Sequence, residues 1–258
     1  MTKIYGTSGN DNGNKALVGT GGGDEIHGGS GTDDLYGLEA NDVLLGGSGP
    51  DRLYGGSGYD TASYTDALGS GVTVNLGTNV NTGGDAQGDK FYSIEGVTGS
   101  SYGDDITGNA QTNILKGEFG SDWLFGKAGN DSLYGGYGVD HLFGGAGADN
   151  LTGGADADLF SYQACEESTD GSRDTIWNFS KAEGDRIHLS AIDAKAHTDG
   201  NQSFSFIGHD DFTAEGQVRF FFQNGNTYVE ANAYGDTEPD MLIMLSGTHN
   251  LGAYDFVL

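Results

Sequence analysis

The sequence predicts an all-β protein: a right-handed parallel β-roll in two blocks, followed by a small C-terminal β domain. Three observations predict it. A nine-residue period of glycine, aspartate and one apolar residue runs through much of the chain. Glycine supplies 48 of the 258 residues and proline only 2, which fits neither a collagen-like nor a proline-rich chain. Beyond about residue 162 the glycine period gives way to alternating apolar stretches of strand length.

The period is clearest at Gly28-Gly29-Ser30-Gly31-Thr32-Asp33-Asp34-Leu35-Tyr36 and at Gly144-Gly145-Ala146-Gly147-Ala148-Asp149-Asn150-Leu151-Thr152. Its form is G-G-x-G-x-D-x-U-x, with U apolar. A first block fills residues 1–63, beginning with a half-repeat at Gly6 to Asp11. The period lapses over residues 64–98, a spacer in which 71–76 alternates like a short strand. It resumes at Gly99 and runs to residue 161. Residues 162–258 form the last segment. There 219–223, the turn pair Asn224-Gly225 and 227–230 read as a hairpin. Stretches 185–189 and 241–245 read as further strands.

The letters of the repeat have physical reasons. Glycines at positions 1, 2 and 4 are expected to take positive φ in a tight turn that points carbonyls inward. The x-U-x remainder is a very short strand with U facing in. Two nonapeptides make one coil, so residues eighteen apart stack. Aspartate at position 6 adds a carboxylate to the carbonyls. Calcium takes roughly six to eight oxygen ligands, which suits this donor set. The candidate ligands are Asp24, Asp33, Asp42, Asp51 and Asp60 in the first block. In the second they are Asp104, Asp122, Asp131, Asp140, Asp149 and Asp158. About eight Ca²⁺ ions bridging stacked turns are expected. One buried Leu or Ile per repeat is little against the entropy of ordering nine residues. The roll is therefore expected to be unfolded without calcium and to fold when it binds. Asp174 and Asp185 have two readings: ligands for a further ion at the roll exit, or solvated acids.

With 11 basic against 38 acidic residues the net charge is −27, which excludes nucleic acid as a partner. The single cysteine, Cys165, excludes an internal disulfide and reads as an inert thiol. Met1 to Gly6 holds no apolar stretch of the kind a cleaved leader needs. Met1 stands just before the first repeat, as a complete chain would have it. The six histidines lack zinc spacing and no H-E-x-x-H occurs. Gly99-Ser100-Ser101-Tyr102-Gly103 matches G-x-S-x-G but lies on the nine-residue register, so no catalytic role is expected and the chain is read as non-enzymatic. Position 9 is often aromatic, as at Tyr36, Tyr54, Phe125 and Phe143. These rings are expected to stack in ladders, either packed against the rest of the chain or exposed to sugar rings or an apolar partner.

The repeats resemble those of RTX, or hemolysin-type calcium-binding, proteins. Asp174 to Phe179 and Gly184 to Ala194 resemble the segment after the roll in serralysin-type C-terminal domains. The ending Asp255-Phe256-Val257-Leu258 resembles their uncleaved export signal. In whole-chain arrangement the sequence is similar to rhizobial nodulation proteins of the NodO type. The resemblance implies a secreted, extracellular protein that leaves through a type I secretion apparatus and folds where calcium is plentiful. It also implies partners at a surface polysaccharide or host membrane. The alternative it leaves is the C-terminal calcium-binding and secretion module of a serralysin-like or other extracellular hydrolase or polysaccharide-modifying enzyme.

Overall fold

The computed structural model describes residues 1–235 and 238–258. Among them there is no α-helix, only strands, turns and short 3₁₀ segments. The chain divides into two compact units, 1–124 and 125–258.

In the first unit, one sheet runs in the order Thr2–Tyr5, Asp24–Ser30, Val43–Ser48, Thr61–Ser63, Gly96–Thr98 and Ile114–Phe119, every neighbour parallel. The alternate strands Leu17–Val18, Asp34–Glu39, Arg52–Ser57 and Lys90–Tyr92 form a second parallel sheet. Thr73–Asn75 pairs in parallel with Asp105–Thr107. Successive nonapeptides thus alternate between sheets. Register confirms the eighteen-residue coil, with Ile26 opposite Leu44 and Leu35 opposite Leu53. The inward U positions form columns. Ile26, Leu44, Ala62, Val97 and Leu115 are fully buried along one sheet. Phe91 continues the other column after Leu35 and Leu53.

The strands are longer than x-U-x. Arg52–Ser57 spans six residues because the ladder continues into the glycines of the next repeat, where Gly29 pairs with Gly47. The glycines also differ in their reasons. Those at position 2, and at position 4 except Gly9 and Gly22, have positive φ, as at Gly47 (84°) and Gly49 (118°). Position 1 does not take positive φ, contrary to the expectation from sequence. A Cβ at Gly19 would instead lie 2.5 Å from the Gly37 carbonyl oxygen and 2.9 Å from Asp24 Oδ2. Where the repeat lacks glycine the turn persists: Leu38 has φ 83° and Lys127 φ 83°. Such residues cost roughly 1–2 kcal/mol each, so the stacked coils impose the turn.

The spacer holds more than the one expected strand, since Lys90–Tyr92 and Gly96–Thr98 join the sheets on either side of the coil.

In the second unit, Ser132–Tyr137, Asn150–Ala155, Thr175–Ile176 and Met241–Leu245 run parallel in one sheet. His141–Ala146, Leu159–Ser161, Arg186–His188 and Phe256–Val257 form the other. The segment after residue 162 therefore adds strands to both sheets begun by the repeats. Leu133, Leu151, Ile176 and Leu245 make one fully buried column. The predicted hairpin is present as Gln217–Gln223 with Asn226–Asn232, turning at Asn224 and Gly225, both of positive φ. The hairpin continues the first sheet in antiparallel pairing with Met241–Leu245.

Candidate metal centre

All eleven candidate aspartates are buried, none more than 3% exposed. They form ladders with a repeated hydrogen bond. The backbone N–H of one aspartate donates to Oδ1 of the aspartate eighteen residues on: Asp24 to Asp42 at 2.7 Å, Asp33 to Asp51 at 2.8 Å, Asp42 to Asp60 at 2.8 Å and Asp104 to Asp122 at 2.7 Å. In the second unit Asp131 donates to Asp149 at 2.7 Å and Asp140 to Asp158 at 3.0 Å. Each carboxylate thus fixes the coil before it.

Four further acids extend these ladders. Asp51 N–H donates to Asp89 Oδ1 at 2.9 Å, and Asp60 N–H to Glu95 Oε2 at 2.9 Å. Asp149 N–H donates to Asp174 Oδ1 at 2.8 Å, and Asp158 N–H to Asp185 Oδ1 at 3.0 Å. Asp174 and Asp185 are buried, so the solvated reading of these two is set aside. Asp89 and Glu95 were not among the candidates. Their signal is present in sequence: Asp89-Lys90-Phe91-Tyr92, Glu95-Gly96-Val97-Thr98, Asp174-Thr175-Ile176-Trp177 and Asp185-Arg186-Ile187-His188 all keep the D/E-x-U-x half of the nonapeptide without its glycine half. Asp89 is also held by the buried Tyr64, whose phenol donates to Oδ2 at 2.8 Å.

The second carboxylate oxygen is the chemically open one. Oδ2 of Asp33, Asp42, Asp51, Asp60, Asp149 and Asp158 is buried and has no hydrogen-bond partner. Each faces the bare Cα of the position-1 glycine of its own repeat, as Asp33 Oδ2 does at Gly28. The Gly46 carbonyl oxygen, from the next coil, faces the same spot. A Cβ there would fill the space. An unpartnered buried carboxylate oxygen is costly. Burial raises these carboxyls: Asp51 and Asp158 to about 8, Asp60 and Asp149 to about 6, and Asp33 and Asp42 upward. Burial likewise pushes Asp89 to about 7 and Asp174 to about 9. Asp24 moves the other way, because the Thr20 N–H donates to it at 2.5 Å. Raised values favour the metal-free fold in acid and withdraw that support as pH rises through them. A divalent cation supplies at neutral pH what the proton supplies in acid.

These residues fit calcium. The donors are oxygen alone, carboxylate plus carbonyl, as a hard cation prefers. Among the described residues no three His, Cys, Asp or Glu side chains converge in a metal-binding group. A cation here would therefore draw largely on backbone carbonyls, which is why the turn glycines matter.

The G-x-S-x-G stretch belongs to this scaffold. Ser100, beside the motif's own serine, is buried, and its Oγ donates to Asp104 Oδ1 at 2.9 Å, while Ser101 itself is exposed.

Residues 104–258 match the family described as peptidase M10 serralysin C terminal, more than half of the chain. The chain belongs to the serralysin C-terminal family. Ahead of that region, residues 5–44 and 27–62 match the RTX calcium-binding nonapeptide repeat, so this serralysin C-terminal protein carries calcium-binding RTX repeats in a parallel β-roll. RTX and serralysin-like domains are typical of secreted extracellular proteins. Among solved structures, the AlgE6R3 subunit of the Azotobacter vinelandii mannuronan C5-epimerase is 25% identical, with 61% of this chain and 78% of that one covered and a TM-score of 0.30. The extracellular lipase LipA of Serratia marcescens is 15% identical, with a TM-score of 0.38. All of this chain aligns with LipA but spans only 40% of the lipase's length. No curated protein matches the chain, and the likeness to NodO-type nodulation proteins is not among these findings.

Proposed function

We propose that this protein is exported through a type I secretion apparatus, folds on calcium outside the cell, and acts non-enzymatically at a cell surface, matrix or host interface. The observation that carries the calcium part is the set of buried, unpartnered Oδ2 atoms, each opposite a glycine Cα, with a backbone carbonyl facing the same spot at Gly28, Gly37 and Gly55. Asp24, Asp33, Asp42, Asp51, Asp60, Asp104, Asp122, Asp131, Asp140, Asp149 and Asp158 are the proposed ligands, with Asp89, Asp174 and Asp185 on the same ladders. About eight ions fit this set. Bound calcium offsets the charge that otherwise opposes stacking.

The proposed export signal at the C-terminus is part of the fold. Phe256 is buried, Asp255 pairs with Lys181 at 2.9 Å, and Arg186 donates to the Phe256 carbonyl at 2.7 Å. An exporter reads this tail in the unfolded chain, which agrees with folding after export.

Far-UV circular dichroism during a calcium titration from EGTA, with native mass spectrometry to count ions, tests the folding reading. Strand signal unchanged by EGTA would overturn it. Secretion by a type I exporter with and without the last segment tests the route; undiminished export of the truncated chain would overturn that part. A second reading is favoured by the match to a domain that is the C-terminal part of a peptidase: this chain serves as the calcium-binding and export module of a larger hydrolase. The intact mass of the secreted protein separates the two.

A further inference from the structure

The outer face of one sheet in the 125–258 unit carries groups that the aspartate ladders do not use. Along residues 173–177, Asp174 and Ile176 point inward and are buried, so Arg173, Thr175 and Trp177 point outward. Trp177 is 53% exposed, and its indole N–H donates to Asn150 Oδ1 at 2.9 Å, which holds the ring flank in place. The registers Leu151 to Ile176 and Tyr134 to Thr152 put Trp177, Thr152 and Tyr134 in one cross-strand row. Tyr134 is 41% exposed. Two strand spacings, roughly 9–10 Å, separate the strands that bear the two rings.

On the other side of residues 173–177 the face continues through Met244 to Tyr228 and Phe221. Phe221 stacks on Tyr228 with centroids 5.2 Å apart, and the Arg173 guanidinium lies 5.4 Å from the Tyr228 ring centre. These groups line a cavity of about 650 Å³, whose polar wall includes Asp170, Gln223, Asn224 and Glu238.

We propose that this face binds a neutral oligosaccharide, with the cavity as one subsite and the Trp177–Tyr134 row as its continuation. Trp177 and Tyr134, exposed and two strands apart, offer platforms for the C–H faces of pyranose rings, whereas in the cavity Tyr228 is buried between Phe221 and Arg173 and leaves the outer face of Phe221. Carboxylate and amide groups supply the acceptors and donors that hydroxyls need. The cavity lies within the roughly 300–1,000 Å³ range of small-molecule sites. Tyr36, Tyr54 and Tyr92 in the other unit contrast with Trp177 and Tyr134. They stack on one another at 4.5 Å, nearly coplanar in orientation, so their inner faces are consumed and their edges point outward. A polyanion is disfavoured by the net charge of −27 and by the acids in the wall.

This inference rests on the reading of the protein as a calcium-folded binder at a surface, and one sample tests both. The calcium-loaded chain is titrated with cellohexaose and chitohexaose, following indole fluorescence and calorimetry, while circular dichroism of the same sample reports folding. Binding of a neutral hexasaccharide is expected, weakened at least tenfold by Trp177→Ala. Asp170→Asn, at a side chain 95% exposed, is expected to weaken it several-fold with the fold intact. Tyr54→Ala is expected to leave it unchanged. A folded protein that binds neither sugar at millimolar concentration overturns the proposal alone, as does undiminished binding by both the Trp177 and Asp170 variants. Preference for an oligoarginine peptide or for polyguluronate also overturns it. A chain that stays unfolded in calcium overturns the earlier reading instead.

Discussion

Asp51 separates the two roles of a ladder aspartate. Its Oδ1 accepts the buried Asp33 N–H at 2.8 Å, while its Oδ2 has no partner. Asp51→Asn keeps an acceptor for Asp33 and removes the charge. Asp51→Ala removes both. Losing the acceptor strands a buried N–H, at a cost of about 1–3 kcal/mol. Losing the charged ligand weakens calcium binding by about 1.5–3 kcal/mol, the usual scale of a charge-assisted contact, or roughly tenfold to a hundredfold in the calcium midpoint. A calcium titration followed by circular dichroism is expected to show the midpoint rising in Asp51→Asn and rising further in Asp51→Ala. Asp170→Asn, at an exposed acid, serves as the control and is expected to be silent. A wild-type midpoint in Asp51→Asn would refute the ligand role. Equal effects of Asn and Ala would refute the contribution of the ladder hydrogen bond.

Gly28→Ala puts a methyl group against Asp33 Oδ2 and the Gly46 carbonyl although φ is not positive, and overpacking of this kind costs about 1–3 kcal/mol; in calcium the melting temperature is expected to fall by roughly 2–4 °C for each kcal/mol lost. Cys165 is fully buried, and burial pushes its thiol up to about 12, so a disulfide reagent is expected to leave it untouched in calcium and to modify it on addition of EGTA. Tyr64→Phe removes the hydrogen bond to Asp89 and is expected to cost about 1 kcal/mol in denaturant unfolding with calcium present. Arg186→Ala loses bonds to the Tyr254 and Phe256 carbonyls, and carboxypeptidase is expected to trim the C-terminus faster in calcium.

The coil was legible where the nonapeptide repeats without interruption. Eighteen-residue stacking, the inward column from Ile26 to Leu44 and the Tyr36–Tyr54 stack all follow from counting along the chain. The same counting hides what an insertion displaces. Asp89 takes the rung after Asp51 at a separation of 38 residues, and Tyr92 joins the Tyr54 ring from the spacer. The strand half of the nonapeptide, D/E-x-U-x, is enough to hold a rung, because the carboxylate meets a backbone N–H and the apolar residue enters the column. The glycine half is needed only where the chain turns back at once. Searching for the whole repeat therefore finds the tight coils and misses the looped ones. The position-1 glycines show the same limit: composition records that a side chain is missing, whereas a neighbouring carboxylate and carbonyl explain why it must be.

The alternation of successive nonapeptides between two sheets limits how such a gene can change length. Duplicating or losing one full coil returns every later strand to its own sheet and every later aspartate to a rung with the same partners. Losing a single nonapeptide would send all downstream strands to the opposite sheet, exchanging the surfaces they present. Replication slippage in so repetitive a coding sequence offers both events. Only the whole-coil event keeps the Tyr36–Tyr54 stack and the rows around Trp177 on the faces they now occupy, so natural length variants are expected to differ by even numbers of repeats.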